Sequence, residues 1–538
     1  MIDLQSSSTI YNPQAFAEFL KLQGTYYING LASCQIGPRL VHPFEAHGYV
    51  KSLSFDGEGR LVLQKSIINT PLTKMERERN APIARGVMSS LDDVTSLTGW
   101  WRNVFAPTER DTANLVANLW PRPSSEVVKQ GILEPLLIVA TDNGTPYVLD
   151  PATLEMRGTL AQILTDMAAR DPNLSYLKES ARVVGTTKML AHTRYDEKRQ
   201  RFILCSTEMV LPGDQFKGNV ILTFYEFNTA FRLVARKKYK TRFMVMHDWM
   251  ITDDYYVVPK NPARLRWGNI FKFLAGLVLG VQVFAMEVDC VGELVLIPRH
   301  DKDAPVIEAK ADRFFNIFHF GPCYQQDEDK GKVVVYAGVF DSYDFGGEMG
   351  FDCTMQEFDP IAWGSCGRAP APRVDKFVVC TKDGKVMERE RMKIVKLEDQ
   401  EDVPLDMLRF ASDGAQCRYF YGLGASRKEG WFPFRSVVKV DTLRNITYNW
   451  DAGDTRVVSE PMFIPKQMRA GTNDAIKEDD GFLVSVVHDA PDQTCHLAVW
   501  DAVNFDQGPI GIIGLGDLVP WCVHGSWVPY YINSKLSK

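Results

Sequence analysis

The 538-residue chain lacks the features that mark several large classes of protein. It has only nine histidines, and no two of its ten cysteines form a CxxC pair, so neither a zinc ribbon nor a disulfide framework is predicted. The formal net charge is −6, which gives no overall basic field for nucleic acid. The cysteines are interpreted as buried free thiols of a reducing compartment.

Long apolar runs and targeting signals are also missing. The most apolar segment is Trp267–Val288, and its longest uncharged stretch has 14 residues, too short for a transmembrane helix. The N-terminus carries Asp3 and no basic residue before Lys21, which predicts neither a secretory signal nor a typical transit peptide. We expect a cytoplasmic protein, or a plastid protein whose transit peptide has been removed.

The chain is rich in short β-strands separated by turns. Segments rich in Val, Ile, Tyr and Phe are bounded by turn dipeptides such as Asp480-Gly481. The spacing predicts a large all-β body, either a propeller or an array of sandwiches, although no repeat of fixed period is present. Two short helices are predicted, at Gln14–Gln23 and Gly158–Ala169. The candidate strands include Leu61–Ile68, Pro135–Thr141, Arg201–Val210, Val220–Phe227, Glu293–Pro298, Lys332–Phe340 and Phe482–His488.

Four histidines lie in apolar, strand-like surroundings. They are His192 in KMLAHTRYD, His247 in MHDWMITDD, His319 in FFNIFHFGP and His524 in WCVHGSWVP. Each one taken singly is better explained as a core histidine than as a metal ligand. No local spacing rule joins them, so a shared site would have to be assembled by the fold. The other five histidines are interpreted as structural.

The contexts of these four histidines resemble the carotenoid cleavage oxygenases, the family that includes the retinal pigment epithelium isomerase. The resemblance runs from about Gly24 to the end of the chain. The matching motifs, in chain order, are Ala-His followed by Asp at 191–196, His-Asp-x-x-Ile-Thr at 247–252, Phe-His at 318–319, Ser-Glu-Pro-Met-Phe-Ile-Pro at 459–465 and His-Gly-x-Trp-x-Pro at 524–529.

The resemblance implies one domain over residues 1–538, a seven-bladed β-propeller with helices and loops capping one face. Residues 1–23 would form an N-terminal extension with a helix, and residues 261–299 would form an apolar segment of the cap. A single Fe(II) would be the cofactor, and imidazole suits ferrous iron. No catalytic residue beyond the iron centre is implied. The implied ligands are His192, His247, His319 and His524.

Carboxylates are expected behind the histidines, where they would hold the ring N–H groups. Three glutamates do this in the family, and Glu460 in SEPMFIP matches one of them. At the other two positions the chain has Asp142 in VATDNG and Asp402 in QEDVPLDM, and both could instead be ordinary turn carboxylates. An aspartate is one methylene shorter, so its backbone must approach more closely or a water must bridge. Asp248 is interpreted as fixing the local turn.

The resemblance further implies O2-dependent cleavage of a conjugated C=C bond into two carbonyl products. Stilbene-cleaving members engage the substrate's phenol with a tyrosine and with a lysine that directly precedes the first supporting carboxylate. Here Thr141 precedes Asp142, and the segment GWWRNVFAP at 99–107 contains no tyrosine. These differences favour an apolar polyene, a carotenoid or apocarotenoid, as the substrate.

The segment 261–299 resembles that of microbial apocarotenoid-cleaving members, in which it forms the mouth of the substrate tunnel and contacts the membrane. A core helix or strand pair is the alternative for its apolar run. Three alternatives for function stay open: cleavage of another apolar or stilbene-type alkene, retinyl-ester isomerisation, and a non-enzymatic propeller that binds lipid or protein. The expected tunnel and membrane residues are Phe271, Phe273, Leu274, Leu277, Val278 and Phe284.

Overall fold

The fold is a ring of antiparallel sheets. The computed structural model describes residues 1–91, 100–121, 134–211, 218–301, 303–326, 329–341, 372–392, 404–411, 413–425, 434–466, 477–517 and 520–532. Within these ranges the chain forms seven sheets of four to six strands and one two-stranded ribbon. The sheets follow one another in chain order, and neighbouring sheets pack together. The expected seven-bladed β-propeller is therefore confirmed.

The blades are numbered here by their order along the chain. Blade 1 contains the strands Ile2–Asp3, Gln23–Gly30, Tyr49–Asp56, Arg60–Ile67 and Cys522–Val528. Blade 2 contains Val116–Trp120, Leu136–Ala140, Tyr147–Leu149 and Met156–Thr159. Blade 3 contains Arg194–Asp196, Arg201–Val210, Asn219–Phe227 and Leu233–Arg242. Blade 4 contains Met244–Val245, Met250–Ile251, Tyr255–Leu265, Phe284–Met286, Glu293–Pro298 and Ile307–Lys310. Blade 5 contains Asn316–Gln325, Lys332–Phe340, Arg373–Cys380 and Val386–Arg391. Blade 6 contains Leu405–Arg409, Tyr419–Ala425, Phe434–Asp441 and Ile446–Asp451. Blade 7 contains Ser8–Ile10, Arg456–Val458, Met462–Pro465, Gly481–Asp489, Thr494–Asp501 and Gly511–Asp517. The ribbon is Gln35–Ile36 with Arg39–Leu40.

The burial pattern of the strands follows from their place in a blade. Every residue of Gly481–Asp489 is buried, because a middle strand is covered on both faces by the adjacent blades. The outer strand Leu233–Arg242 alternates instead between partly buried and exposed residues for most of its length. Its exposed positions include Arg236, Lys238 and Lys240, charges that discourage edge-to-edge pairing with another chain.

Both ends of the chain close the ring. The last strand, Cys522–Val528, pairs with Gln23–Gly30 in blade 1, and Ser8–Ile10 pairs with Gly511–Asp517 in blade 7. Blade 1 therefore includes the last strand of the chain, and blade 7 includes a strand from its beginning. The chain thus passes between the first and last blades at both ends, which closes the propeller. The last strand carries His524, so ring closure also positions one of the expected ligands.

Six α-helices lie outside the blades in the part of the chain that is described. They are Pro13–Phe19, Pro71–Arg79, Trp100–Phe105, Leu160–Arg170, Leu177–Thr186 and Trp267–Leu274, and four 3-10 turns accompany them at Pro43–Glu45, Pro172–Leu174, Gly280–Val283 and Phe505–Gln507. The two predicted helices are both present. The first one is shorter than predicted, because the strand of blade 1 already begins at Gln23.

The helix Leu177–Thr186 was not predicted from the sequence. It packs beside Leu160–Arg170, whose start is fixed by a capping box between Thr159 and Gln162. Leu177, Ala181 and Val184 recur at helical spacing and are all buried. That spacing is the signal that could have revealed this helix.

A buried ion pair holds the cap together. Arg110 donates two hydrogen bonds of 2.8 Å each to the two carboxylate oxygens of Glu76, and His47 lies 2.7 Å from Glu76 Oε2. Arg110 also donates to the carbonyl oxygens of Ala84 and Glu45. Burial works against the charge of Glu76, but hydrogen bonds from His47 and Arg110 lower the pKa of Glu76 to about 2.

Replacing Glu76 is expected to loosen the cap. Glu76→Gln removes the charge that compensates the buried Arg110, and it should lower the free energy of unfolding by about 3–5 kcal/mol in denaturant titrations. Glu58→Gln is the matched control, because Glu58 pairs with Arg60 at the surface and its loss should cost less than about 1 kcal/mol. Equal effects of the two substitutions would contradict a structural role for the pair.

Candidate metal centre

Four different blades each present one histidine at the centre of the ring. His192 lies just before the first strand of blade 3, and His524 lies within the last strand, in blade 1. His319 lies in Asn316–Gln325, at the shift in the register of that strand between Ile317 and Phe320. His247 falls in the gap between Met244–Val245 and Met250–Ile251 of blade 4.

The four side chains converge on one point. One ring nitrogen from each of His192, His247, His319 and His524 lies within 4.8 Å of the other three. The Nε2 atoms of His192 and His247 are 3.1 Å apart, and those of His247 and His319 are 3.2 Å apart. Three of the rings are buried, and His247 is partly buried.

Three of the histidines have a carboxylate on the other ring nitrogen. Asp142 contacts Nδ1 of His247, and its Oδ1 accepts a hydrogen bond of 2.8 Å from the backbone of Ala191. Glu460 Oε1 lies 2.8 Å from Nδ1 of His524, and its Oε2 accepts from the Gly525 backbone. The structure thus places Asp142 behind His247 and Glu460 behind His524, and their support of a metal ligand stays a prediction.

The carboxylate behind His319 is Asp406, which the sequence analysis missed. Its Oδ1 lies 3.0 Å from Nδ1 of His319, without a bridging group. A Cβ atom at Gly338 would lie 2.9 Å from this oxygen, so the glycine provides the space that the short aspartate needs. Asp402, the residue predicted for this role, lies outside the described residues. Both aspartates occur in the segment QEDVPLDM, and the strand pairing of Leu405–Arg409 brings Asp406 to His319.

Asp248 does more than fix a local turn. Its Oδ1 contacts the Arg194 guanidinium and lies 3.6 Å from Nδ1 of His192, which is too long for a hydrogen bond. Its Oδ2 accepts a hydrogen bond of 2.9 Å from the backbone of Phe320. Asp248 therefore joins blades 3, 4 and 5 next to the cluster.

The environment sets the protonation of the cluster. Burial, reinforced by the neighbouring histidines, holds the pKa of His192 well below its usual range. Burial also lowers the pKa of His524, although Glu460 opposes this effect. At His319 burial acts in the same direction, but the charge and hydrogen bond of Asp406 outweigh it and raise the pKa.

The donor set fits a cation. When a carboxylate accepts the Nδ1–H of a neutral histidine, the proton occupies Nδ1 and a lone pair remains on Nε2. Lone pairs of His247, His319 and His524 then point at one another, and Nε2 of His524 is buried without a hydrogen-bond partner. Nitrogen–nitrogen separations of 3.1 and 3.2 Å suit imidazoles around one transition-metal ion. A divalent metal would satisfy these lone pairs.

Two cavities reach the cluster. The first, called here the apolar cavity, has a volume of about 270 Å³. Besides His247, His319 and His524, most of its exposed wall is apolar and is formed by residues such as Phe44, Val87, Met88, Phe318, Met407, Phe434 and Trp521. Polar residues at its edge include Glu45, Glu109, Arg110, Asp111 and Asn143. The second, called here the polar cavity, has a volume of about 830 Å³ and also reaches His192, His319 and His524. Its walls include Arg194, Asp248, Arg409, Asp413 and Glu460.

Asp406 is expected to support metal binding. Asp406→Asn removes the charge that orients His319, and a partner of this kind typically contributes 10–100-fold to metal affinity. We expect a loss of that size for Co(II), measured by competition with a chelating dye. Asp402→Asn is the matched comparison, and an equal or larger loss in that variant would contradict the assignment of Asp406.

Comparison with known proteins gives a consistent result. The sequence model of the family described as retinal pigment epithelial membrane protein matches residues 20–529. Carotenoid cleavage dioxygenase 7, chloroplastic, of Arabidopsis thaliana is 25% identical, over 94% of this chain and 85% of that protein. Apocarotenoid-15,15'-oxygenase of Synechocystis is 24% identical, over 94% of this chain and 90% of that protein.

The fold is shared with a solved structure. The crystal structure of cobalt-substituted Synechocystis apocarotenoid oxygenase superposes with a TM-score of 0.75 at 21% identity, covering 94% of this chain and 93% of that one. The family match extends over nearly the whole chain, from before the first full strand of blade 1 to just after the last strand. This protein therefore belongs to the retinal pigment epithelial membrane protein family.

Proposed function

We propose that this protein is a non-haem iron(II) dioxygenase that cleaves a conjugated C=C bond of a carotenoid or apocarotenoid. The reaction joins one O2 to the alkene, and each carbon of the broken double bond leaves as a carbonyl. The observation that carries the proposal is the position of the four-histidine cluster at the wall of an apolar cavity. The similarity of this chain to a carotenoid cleavage dioxygenase and to an apocarotenoid oxygenase supports the proposal.

Each part of the site has a role in such a reaction. His192, His247, His319 and His524 would hold the iron, which supplies the activation of O2 when bound. The carboxylates behind three of the rings would keep their Nε2 atoms directed at the metal. No side chain has to transfer a proton, because the alkene and O2 together contain every atom of the two products.

The apolar cavity would hold the polyene and exclude water. The ring of Phe318 stacks on His247 at a centroid distance of 4.1 Å, and Phe318 also lines the cavity. This places a flat apolar surface beside the cluster, where a conjugated chain could lie. The described residues that line this cavity include neither lysine nor tyrosine. The hydroxyl of Thr141 donates to Asn114 Oδ1 at 3.0 Å, so this hydroxyl is already engaged and does not point a donor at the substrate.

The proposed substrate would arrive from a membrane. Phe271, Leu274 and Leu277 are 67%, 60% and 45% exposed, and no residue of the helix Trp267–Leu274 is buried. This exposure favours a surface role for the helix, although Trp267 and Ile270 pack against a cluster of buried core residues. Among the expected residues, Phe273, Val278 and Phe284 are partly buried. No described helix has both the length and the apolar character needed to cross a bilayer.

The exposed helix is tied to the wall of the apolar cavity. The guanidinium of Arg85 lies 4.1 Å from the ring centroid of Phe273 and donates to the Phe273 carbonyl oxygen. Two residues further on, the carbonyl oxygen of Val87 accepts a hydrogen bond from Val281. Val87 also lines the cavity. These contacts connect the exposed apolar helix to the wall of the apolar cavity. They support a short route for the substrate from a membrane to the iron site.

The activity is tested by loading the protein with Fe(II) without oxygen and then adding β-apo-carotenals in air. We expect two carbonyl products, each labelled when the gas is ¹⁸O2. His319→Ala should lower the rate at least about 100-fold, since loss of a ligand should exceed the effect of losing its supporting partner. His496→Ala is the matched control, because His496 lies in an outer part of blade 7 and contacts Thr494.

Three other outcomes of the same assay would contradict the proposal in different ways. Cleavage of a resveratrol-type stilbene with no product from any polyene would indicate an aromatic-alkene oxygenase. Isomerised retinyl ester without oxygen uptake would indicate an isomerase. A purified protein that takes up no iron, and in which His319→Ala changes nothing, would indicate a binding propeller.

Membrane contact is tested separately with vesicles. Phe271→Glu combined with Leu274→Glu should lower the partition coefficient onto phosphatidylcholine vesicles at least about tenfold, because each buried apolar side chain contributes about 1.5–3 kcal/mol. Leu443→Glu is the matched control, since Leu443 is also highly exposed but lies in blade 6. Unchanged partition in the double variant would contradict the proposed contact surface.

A further inference from the structure

One arginine stands behind the carboxylate that supports His524. Arg409 ends the strand Leu405–Arg409, and its Nε lies 3.7 Å from Glu460 Oε2. Its Nη2 donates a hydrogen bond of 3.0 Å to the carbonyl oxygen of Gly525. The same strand carries Asp406, three residues earlier, and its register shifts between the two residues. One short strand therefore supports two of the four histidines.

We infer that Arg409 is a positioning residue that keeps a bound iron in the ferrous state by balancing the negative charge of Glu460. The inference rests on the proposed function only in taking iron as the metal. It adds a role for a side chain that would not contact the metal or the substrate.

Two physical effects of Arg409 act in the same direction. A carboxylate that accepts the Nδ1–H of a histidine increases the basicity of that ligand. Arg409 draws part of the charge of Glu460 toward Oε2, away from Oε1, which faces His524. A positive charge near the site also destabilises Fe(III) more than Fe(II) by direct Coulomb repulsion. Both effects favour the lower oxidation state.

The surroundings of Arg409 allow its effect on the oxidation state of the iron to be tested without disturbing the fold. Its side chain is 30% exposed and lines the polar cavity, so its removal leaves no closed apolar void. Arg194, another described cation close to the cluster, is less suitable for such a test. It contacts Asp248 and donates to the Trp249 carbonyl, so its loss would disturb the contacts between blades 3 and 4.

The experiment measures the midpoint potential of the iron-loaded protein without substrate, by redox titration of the ferric electron paramagnetic resonance signal. Arg409→Gln should raise the ratio of Fe(III) to Fe(II) at a given ambient potential about tenfold, the order expected for one unit charge across a protein interior. A tenfold change corresponds to about 59 mV toward negative potential for one electron. Arg409→Lys keeps the charge and should shift the ratio by less than about threefold.

Matched variants separate charge from structure. Arg456→Gln removes an arginine that pairs with Asp489 in blade 7, away from the histidines, and should leave the potential unchanged. Arg409→Met removes the charge but retains an apolar stem, and it replaces the glutamine variant if that variant unfolds. Co(II) stoichiometry and melting temperature confirm that the site of each variant is intact.

The outcomes distinguish this inference from the proposed function. Equal potentials for wild type and Arg409→Gln would overturn it, as would an equal shift in Arg409→Lys. An iron-binding protein that shows the shift but cleaves no polyene would overturn the proposed activity and leave the role of Arg409 standing. A wild-type protein that takes up no iron would overturn both.

Discussion

The convergence of four histidine side chains is the constraint on which the rest of this structure depends. The lone pairs of neutral imidazoles repel one another at such short range unless a cation lies between them or a proton is shared. Carboxylates on Nδ1 of His247, His319 and His524 remove the second possibility among these three rings, because they hold the protons on the outer nitrogen. The site is therefore preorganised for a metal at the cost of mutual repulsion in its absence.

A propeller is well suited to hold such an arrangement. Four blades each contribute one histidine to the centre, and blades 2, 6 and 7 contribute the carboxylates behind three of them. The site thus collects ligands that are up to 332 residues apart in the chain, from His192 to His524. Asp248 and the closing strand Cys522–Val528 connect the blades that bear these ligands. Stability of the ring and geometry of the site are supplied by the same contacts.

The two cavities approach the cluster through different surroundings, one mainly apolar and the other charged. Apolar side chains surround one approach, where the cap residues Phe44, Val87 and Met88 contribute to the wall. Charged groups, among them Arg409 and Glu460, surround the other. Both cavities reach His319 and His524, so an apolar molecule in one and charged groups in the other can act on the same cluster without competing for space.

The sequence by itself determined the class of the fold and predicted which four histidines the fold brings together. Strand-forming runs between turn dipeptides predicted an all-β body, and motif contexts in conserved order selected four of nine histidines. Spacing alone could not do this, since each histidine was as well suited to an ordinary core. Only the tertiary structure revealed Asp406 behind His319, because strand register determines that its carboxylate meets this ring. It also decided that Asp248 links three blades and that Arg409 stands behind Glu460. Those contacts join residues far apart in the chain, and their distances depend on how neighbouring blades pack, which local sequence patterns do not encode.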